Sequence, residues 1–218
     1  MTSRLRMETY LDRHDAGKQL AVALQAYKEA KNTLVLALPR GGVPVAYEVA
    51  TALHLPLDIF IVRKLGVPGQ EELAMGAIAM GADQPFLNKE VIRLAHVSAE
   101  AIAHVLQKEK QELARRNQVY RQAKPFPDVT DKTIILIDDG IATGATLRAA
   151  IYALRALHVG RIVVAVPVAA QSLCAELETE VDQLICPLRP VYFSSVGQWY
   201  DDFSQTEDEE VFALLKSI

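Results

Sequence analysis

Apolar residues occur in five short runs, which alternate along the chain with segments where apolar residues recur every three or four positions. The runs lie at Thr33–Leu38, Leu57–Val62, Ile134–Ile137, Arg161–Val166 and Val181–Cys186. Short apolar runs of β-favouring residues are typical of strands buried on both faces. Because such strands alternate with helices, the pattern predicts an α/β fold with a parallel five-stranded sheet and helices on both faces.

Helical periodicity fills most of the intervals between the strands. The interval between the second and third runs differs, because a predicted hairpin precedes its helices. Ser98 suits the N-cap of a long helix, and Pro44 suits the first turn of another, where its missing N–H costs nothing. The segment Ala74–Gly81 is predicted to pair with Pro85–Leu87 as a β-hairpin. The predicted helices are Pro44–Leu53, Asn88–His96, Ser98–Gln122, one that begins after Thr146, Gln171–Thr179, and a last one that starts within Ser204–Glu210.

Length and composition suit one domain. The chain has 218 residues, half of them hydrophobic, and we expect a single domain with a core at about 33–187. The net charge of −4 and a pI near 5.8 argue against a nucleic-acid partner, which would favour a basic surface. The sequence does not begin like a signal peptide and has no apolar run of membrane-spanning length, so we expect a cytoplasmic protein with no membrane partner.

Two adjacent carboxylates and a turn of small residues follow the central strand. Asp138 and Asp139 come first, and residues 140–146 then lead into a helical pattern. A small-residue turn at a helix start leaves backbone N–H groups uncovered, and the helix dipole adds partial positive charge there. Thr143 and Thr146 add hydroxyl donors, while Gly144 has no side chain to block a ligand. The turn is therefore predicted to bind phosphate.

The two carboxylates would repel that phosphate if they met it directly. Asp138 and Asp139 are compatible with a neighbouring phosphate if they face a neutral or cationic group, such as a sugar diol or a metal ion. An ordinary strand-to-helix connection with two solvated aspartates is the alternative interpretation. It explains neither the adjacent acids nor their register with the T-G-x-T turn.

Four apolar residues, two acids and a T-G-x-T turn resemble the phosphoribosyl pyrophosphate (PRPP) motif of type I phosphoribosyltransferases. This resemblance implies that Asp138 and Asp139 are catalytic and hold the ribose 2- and 3-hydroxyls. Gly140 and Ala142 depart mildly from the family pattern, which often has a branched residue and a Thr there. The residues implied in 5-phosphate binding are Ala142, Thr143, Gly144, Ala145 and Thr146.

The resemblance extends over Thr33–Cys186 and implies a pyrophosphate site. Arg40, Gly41 and Gly42 end the first strand and resemble the pyrophosphate-binding loop of the family. Arg63 and Lys64, at the end of the second strand, hold the position of a basic residue that contacts pyrophosphate. The next segment, Leu65–Gln84, matches a mobile flap that closes over the ligands, but it carries no Lys or Arg. Any flap contact with pyrophosphate would then need backbone groups or metal.

Aromatic residues are concentrated near the end of the chain. In the family a hood of outlying segments, here about residues 1–30 and 188–218, binds the acceptor base. The hood aromatics that could contact a base are Tyr192, Phe193, Trp199 and Tyr200. Packing of the same aromatics over the sheet edge is equally compatible with the sequence.

A charged cluster, Asp12-Arg13-His14-Asp15, precedes the first helical pattern. Charges that flank a helix start are usually solvated or capping, and Asp15 is a plausible N-cap. We therefore interpret this cluster as part of a packing helix rather than as a site.

Together these features predict an enzyme that transfers the 5-phosphoribosyl group of PRPP to a purine or pyrimidine base, with release of pyrophosphate, as in nucleotide salvage. Mg²⁺ is the expected cofactor, held mainly by PRPP, with Asp138 and Asp139 as candidate protein ligands, and the sequence is compatible with a homodimer. The alternative is a non-catalytic PRPP- or nucleotide-binding regulatory protein. A phosphatase or kinase is disfavoured because neither a D-x-D nor a G-x-x-x-x-G-K-[ST] motif is present.

Overall fold

A parallel sheet of five strands forms the centre of the protein, as seen in a computed structural model that describes residues 9–82, 84–122 and 124–217. The strands in these residues are β1 (Thr33–Ala37), β2 (Leu57–Ile59), β3 (Val62–Val67), β4 (Gln70–Ala79), β5 (Phe86–Leu87), β6 (Thr133–Ile137), β7 (Arg161–Ala165) and β8 (Gln183–Ile185). The central sheet has the order β2-β1-β6-β7-β8, with every neighbouring pair parallel. The predicted α/β class and its five strands are confirmed.

Helices separate the strands of the parallel sheet in sequence. They are α1 (Arg13–Ala23), α2 (Gly42–Leu53), α3 (Lys89–Leu94), α4 (Ala99–Arg121), α5 (Ala145–Ala156), α6 (Gln171–Leu177) and α7 (Asp208–Lys216). Ser98 caps α4 as predicted, because its hydroxyl accepts the N–H of Ala101 at 3.1 Å. The first helix differs from its prediction, since Asp12 rather than Asp15 is the N-cap. Throughout the described residues, no helix is both long and apolar enough to cross a membrane.

Each face of the parallel sheet packs against its own set of helices. Alternate residues of β1, β6 and β7 point to opposite faces, as the two-residue period of a strand requires. On one face Leu36, Leu136 and Val164 pack with apolar residues of α5 and α6. On the other, Val35 and Ile135 pack with residues of α1, α2 and α7. The sheet is therefore covered on both sides, as its mainly apolar runs predict.

A second, antiparallel sheet of order β3-β4-β5 follows β2. The predicted hairpin is confirmed, with Gly76 opposite Leu87 and Ala77 opposite Phe86. The prediction of a single strand over Leu57–Val62 is wrong. The chain leaves the parallel sheet after Ile59, and Val62 begins β3 opposite Ala79 of β4. The apolar stretch Ile59–Val62 could not reveal this division, because it is buried throughout the junction between β2 and β3.

Candidate functional site

The chain order reverses between β1 and β6, the central strand of the sheet. From β1 the chain proceeds outward to β2 on one side, and from β6 it proceeds through β7 to β8 on the other. Ligands of open α/β sheets bind at such a switch point, outside the carboxyl ends of the strands. Here those ends carry Arg40-Gly41-Gly42 after β1 and Asp138-Asp139 after β6. Tertiary structure thus joins two segments that lie about a hundred residues apart.

The loop after β1 lies directly against the acidic pair. A Cβ atom added at Gly41 would stand 2.0 Å from Oδ2 of Asp139, so no other residue fits there without a shift. Gly42 is the first residue of α2, and its N–H donates to the Leu38 carbonyl at 3.1 Å. The two glycines therefore let the backbone of this loop approach the carboxylates closely.

Both carboxylates of the pair are largely withdrawn from water. The backbone N–H of Asp139 donates to Oδ1 of Asp138 at 2.9 Å. Burial, together with the neighbouring charge of Asp139, raises the pKa of Asp138 well above its ordinary value. Burial also raises the pKa of Asp139, while the adjacent Arg13 opposes this rise. Such closely spaced, desolvated acids are typical of functional sites.

Arg13 is the residue of this site that the sequence interpretation missed. Its Nε donates to Oδ2 of Asp139 at 2.8 Å, and its side chain is only 12% exposed. The same guanidinium donates to the Ser204 carbonyl at 2.6 Å and lies 3.9 Å from the ring centroid of Phe203. The interpretation of the Asp12–Asp15 cluster as solvated or capping is therefore wrong for Arg13. Nothing local in the sequence distinguishes this arginine from a surface one.

The two terminal segments meet at this arginine. The backbone of Tyr10 pairs with that of Tyr200, and the N–H of Asp202 donates to the Leu11 carbonyl at 2.9 Å. The Tyr200 hydroxyl donates to the Asp139 carbonyl at 2.5 Å. Burial and the charge of Asp139 raise the pKa of Tyr200, which keeps this hydroxyl protonated. Residues from both ends of the chain thus reach the acidic pair.

The turn after the acidic pair leads into α5 as predicted. Gly144 is the N-cap at φ 77°, a left-handed conformation that favours glycine, and the N–H of Ala145 donates to Oγ1 of Thr143 at 3.4 Å. Ala142, Thr143 and Thr146 are exposed, while Gly144 is buried and Ala145 half-buried. The structure therefore presents an open helix N-terminus beside the acidic pair, with two hydroxyl groups at its surface.

The predicted pyrophosphate-binding cations have partners within the chain. Arg40 faces the start of α7, with NH1 at 3.5 Å from Asp208 and 4.0 Å from Glu207. Arg63 and Lys64 lie inside β3 rather than at the end of a parallel strand, which corrects the predicted position. The reason is the early departure of the chain from the parallel sheet after Ile59.

A cleft of about 710 Å³ opens beside β3. Its walls include Pro39 after β1, Arg63 and Lys64 of β3, and Thr146 of the turn before α5. The cleft therefore links three of the segments in which the sequence placed site residues.

The four hood aromatics do not form one surface. Trp199 and Tyr200 are 6% exposed and pack with Tyr10 in a small apolar cluster, whereas Tyr192 is 90% exposed. Phe193 is partly buried against the same cluster. The packing interpretation thus accounts for Trp199 and Tyr200.

The acidic pair can supply a metal ion with two carboxylates at most. One oxygen of Asp139 is held by Arg13, and one oxygen of Asp138 accepts a backbone N–H. In the described parts of the chain, no group of three or more His, Cys, Asp or Glu side chains could hold a metal ion. These residues fit a divalent cation only as part of its shell of oxygen ligands.

Fold and geometry define a doubly wound α/β protein with paired acids at its switch point. A family model described as "Phosphoribosyl transferase domain" matches residues 7–188, so the chain belongs to that family.

Two relatives from Mycobacterium tuberculosis are named "Putative phosphoribosyl transferase", MT0597 of strain CDC 1551 and Rv0571c of strain H37Rv. Each is 44% identical over 209 residues, which cover 96% of this chain and 47% of the relative. The chain thus spans about half the length of these curated relatives. The crystal structure of TT1426 from Thermus thermophilus is 35% identical, with a TM-score of 0.87 over 96% of this chain and 98% of that chain.

Proposed function

We propose that the protein transfers the 5-phosphoribosyl group of PRPP to a nitrogenous base and releases pyrophosphate. The observation that carries this proposal is the junction at the switch point, where Asp138 and Asp139 lie between the glycine loop after β1 and the open start of α5. Membership in the phosphoribosyl transferase domain family supports the same reaction.

The turn before α5 would bind the 5-phosphate. Its helix start has no side chain at the N-cap Gly144 and offers backbone N–H groups, and Thr143 and Thr146 add hydroxyl donors at the surface. An anchored phosphate places the ribose ring toward Asp138 and Asp139, whose oxygens can accept the 2- and 3-hydroxyl protons as hydrogen bonds. Two carboxylates that hold a diol fix the ring without a proton transfer.

The pyrophosphate group would lie between the loop after β1 and β3. Gly41 brings the loop backbone close to the acidic pair with no side chain in between, and Lys64 supplies a cation at the wall of the adjoining cleft. When it is bound with PRPP, Mg²⁺ neutralises part of the charge on the leaving pyrophosphate. Asp138 and Asp139 fit as its protein ligands only in part, as described above.

The transfer replaces one bond at C1 of the ribose. A nitrogen lone pair of the base forms the new C1–N bond, and the C1–O bond breaks with its electron pair leaving on pyrophosphate. Positive charge develops on the ring as this bond breaks, and the nearby carboxylates of Asp138 and Asp139 stabilise it electrostatically. The proton displaced from the base nitrogen passes to solvent or buffer.

Pyrophosphate release from PRPP, measured over a panel of purines, pyrimidines and related heterocycles with Mg²⁺, tests the proposal. We expect release with at least one base, and a fall of about 100-fold or more in Asp139→Asn, as is typical when one preorganised electrostatic group is lost. Arg115→Gln, on the exposed face of α4, is the control and should retain full turnover. No heat on titration of PRPP with Mg²⁺ would overturn the proposal, whereas binding without release from any base would instead support a regulatory protein.

A further inference from the structure

The long helix α4 forms one wall of the cleft beside β3. Residues at three- and four-residue spacing on one face of α4, among them His104, Lys108 and Arg116, line this cleft opposite Arg63 and Lys64. Lys and Arg side chains thus approach the same space from two elements.

Most charges of the cleft are already paired. Glu109 of α4 accepts from Arg63 at 2.7 Å, and Glu112 accepts from Arg116 at 2.7 Å. Lys64 contacts Glu72 at 3.3 Å, but that carboxylate is 92% exposed and is therefore a weak partner. Among the described residues Lys108 has no ion-pair or hydrogen-bond partner. The cleft thus retains unpaired positive charge on its α4 wall.

The segment expected to close over the ligands cannot supply a cation. Leu65–Gln84 contains no Lys or Arg, and its Glu71 and Glu72 side chains line the cleft. The aromatic lining that a neutral base would favour is also sparse, because Phe60 is the one Phe, Tyr or Trp side chain among the described lining residues. Four Lys or Arg side chains and three Glu side chains line the cleft, so the lining keeps an excess of one positive charge, which favours an anionic group over a neutral ring.

We propose that Lys108, together with Lys64, binds an anionic group of a ligand in this cleft, so that α4 supplies the cation that the flap lacks. This inference rests on the proposed function for its setting at the edge of the PRPP site. Two sources of the anion share the same chemistry: the pyrophosphate group of PRPP and an acceptor base that carries a carboxylate.

Calorimetry with inorganic pyrophosphate and Mg²⁺ tests the first source directly. We expect Lys108→Gln to weaken pyrophosphate binding about tenfold, which corresponds to the loss of one charged contact. The difference from wild type should shrink as salt is raised, because Lys108 is exposed. Lys110→Gln, on the same helix but outside the cleft, is the matched control and should bind like wild type.

The second source is tested by acceptor kinetics. An anion that belongs to the acceptor has two signatures. Pyrophosphate binds Lys108→Gln and wild type equally, and the KM of Lys108→Gln rises about tenfold for carboxylated bases such as orotate and nicotinate but not for adenine or uracil. In that case the inference holds, with the acceptor as the source of the anion. If Lys108→Gln matches Lys110→Gln in both experiments, the inference is wrong. Failure of wild type to release pyrophosphate from PRPP would refute the proposed function alone, because the calorimetric result does not depend on turnover.

Discussion

Replacing Arg13 with Met should destabilise the protein strongly, although Arg13 lies at the start of a helix beside other charged residues. The substitution keeps the apolar stem but leaves Asp139 without its cation in a site where both side chains are at most 15% exposed. Breaking a buried pair by removing one partner costs about 3–5 kcal/mol. Protonation of the unpaired Asp139 limits this cost, so we expect about 3 kcal/mol.

For a protein of this size 1 kcal/mol shifts Tm by about 2–4 °C, so Arg13→Met should lower Tm by about 6–12 °C. Thermal unfolding followed by circular dichroism at pH 7 measures the shift. Arg115→Gln is the matched control because it removes an arginine that is 60% exposed and paired with Glu112, so its Tm should stay close to that of wild type.

A double variant tests the cause of the loss. Arg13→Met combined with Asp139→Asn should be more stable than Arg13→Met alone, because no unpaired carboxylate remains buried. If Arg13→Met unfolds within about 2 °C of wild type, the Arg13–Asp139 pair does not contribute as its geometry indicates.

Three further substitutions test the remaining parts of the site. Asp138→Asn should abolish most PRPP turnover yet raise Tm near neutral pH. Burial raises the pKa of the Asp138 carboxyl above 3.8, so the folded state binds this proton more tightly than the unfolded state does. The stability that comes from the protonated carboxyl is lost as pH rises through the pKa of the folded state. The Tm difference between Asp138→Asn and wild type should therefore disappear below about pH 4, and a difference that persists there contradicts the burial argument. Gly41→Ala should cut PRPP turnover at least tenfold, because the added methyl would stand 2.0 Å from Asp139; wild-type turnover would mean that the loop moves aside freely. Tyr192→Ala should leave Tm within about 1 °C of wild type, because the side chain is 90% exposed. A raised KM for the base without a Tm change would assign Tyr192 to base binding, whereas an unchanged KM would exclude Tyr192 from the base site.

Much of the fold follows from patterns within single segments. The five apolar runs predict the strands of the parallel sheet, and Ser98 marks the start of α4, because both signals depend on neighbouring residues alone. The division between β2 and β3 is different, since Ile59, Phe60 and Ile61 are equally apolar. Only the pairing of Val62 with Ala79 shows that the chain has entered a second sheet.

The sequence by itself determined the α/β class, the acidic pair and the open turn that follows it, because strand, acids and turn are contiguous from Thr133 to Thr146. Only the tertiary structure decided which distant groups surround that pair. Arg13 and Tyr200 reach Asp139 from opposite ends of the chain, and Lys108 lines the adjoining cleft from α4. The physical reason is that a buried charge is compensated by whichever partner the packing brings near, and sequence distance places no limit on that choice.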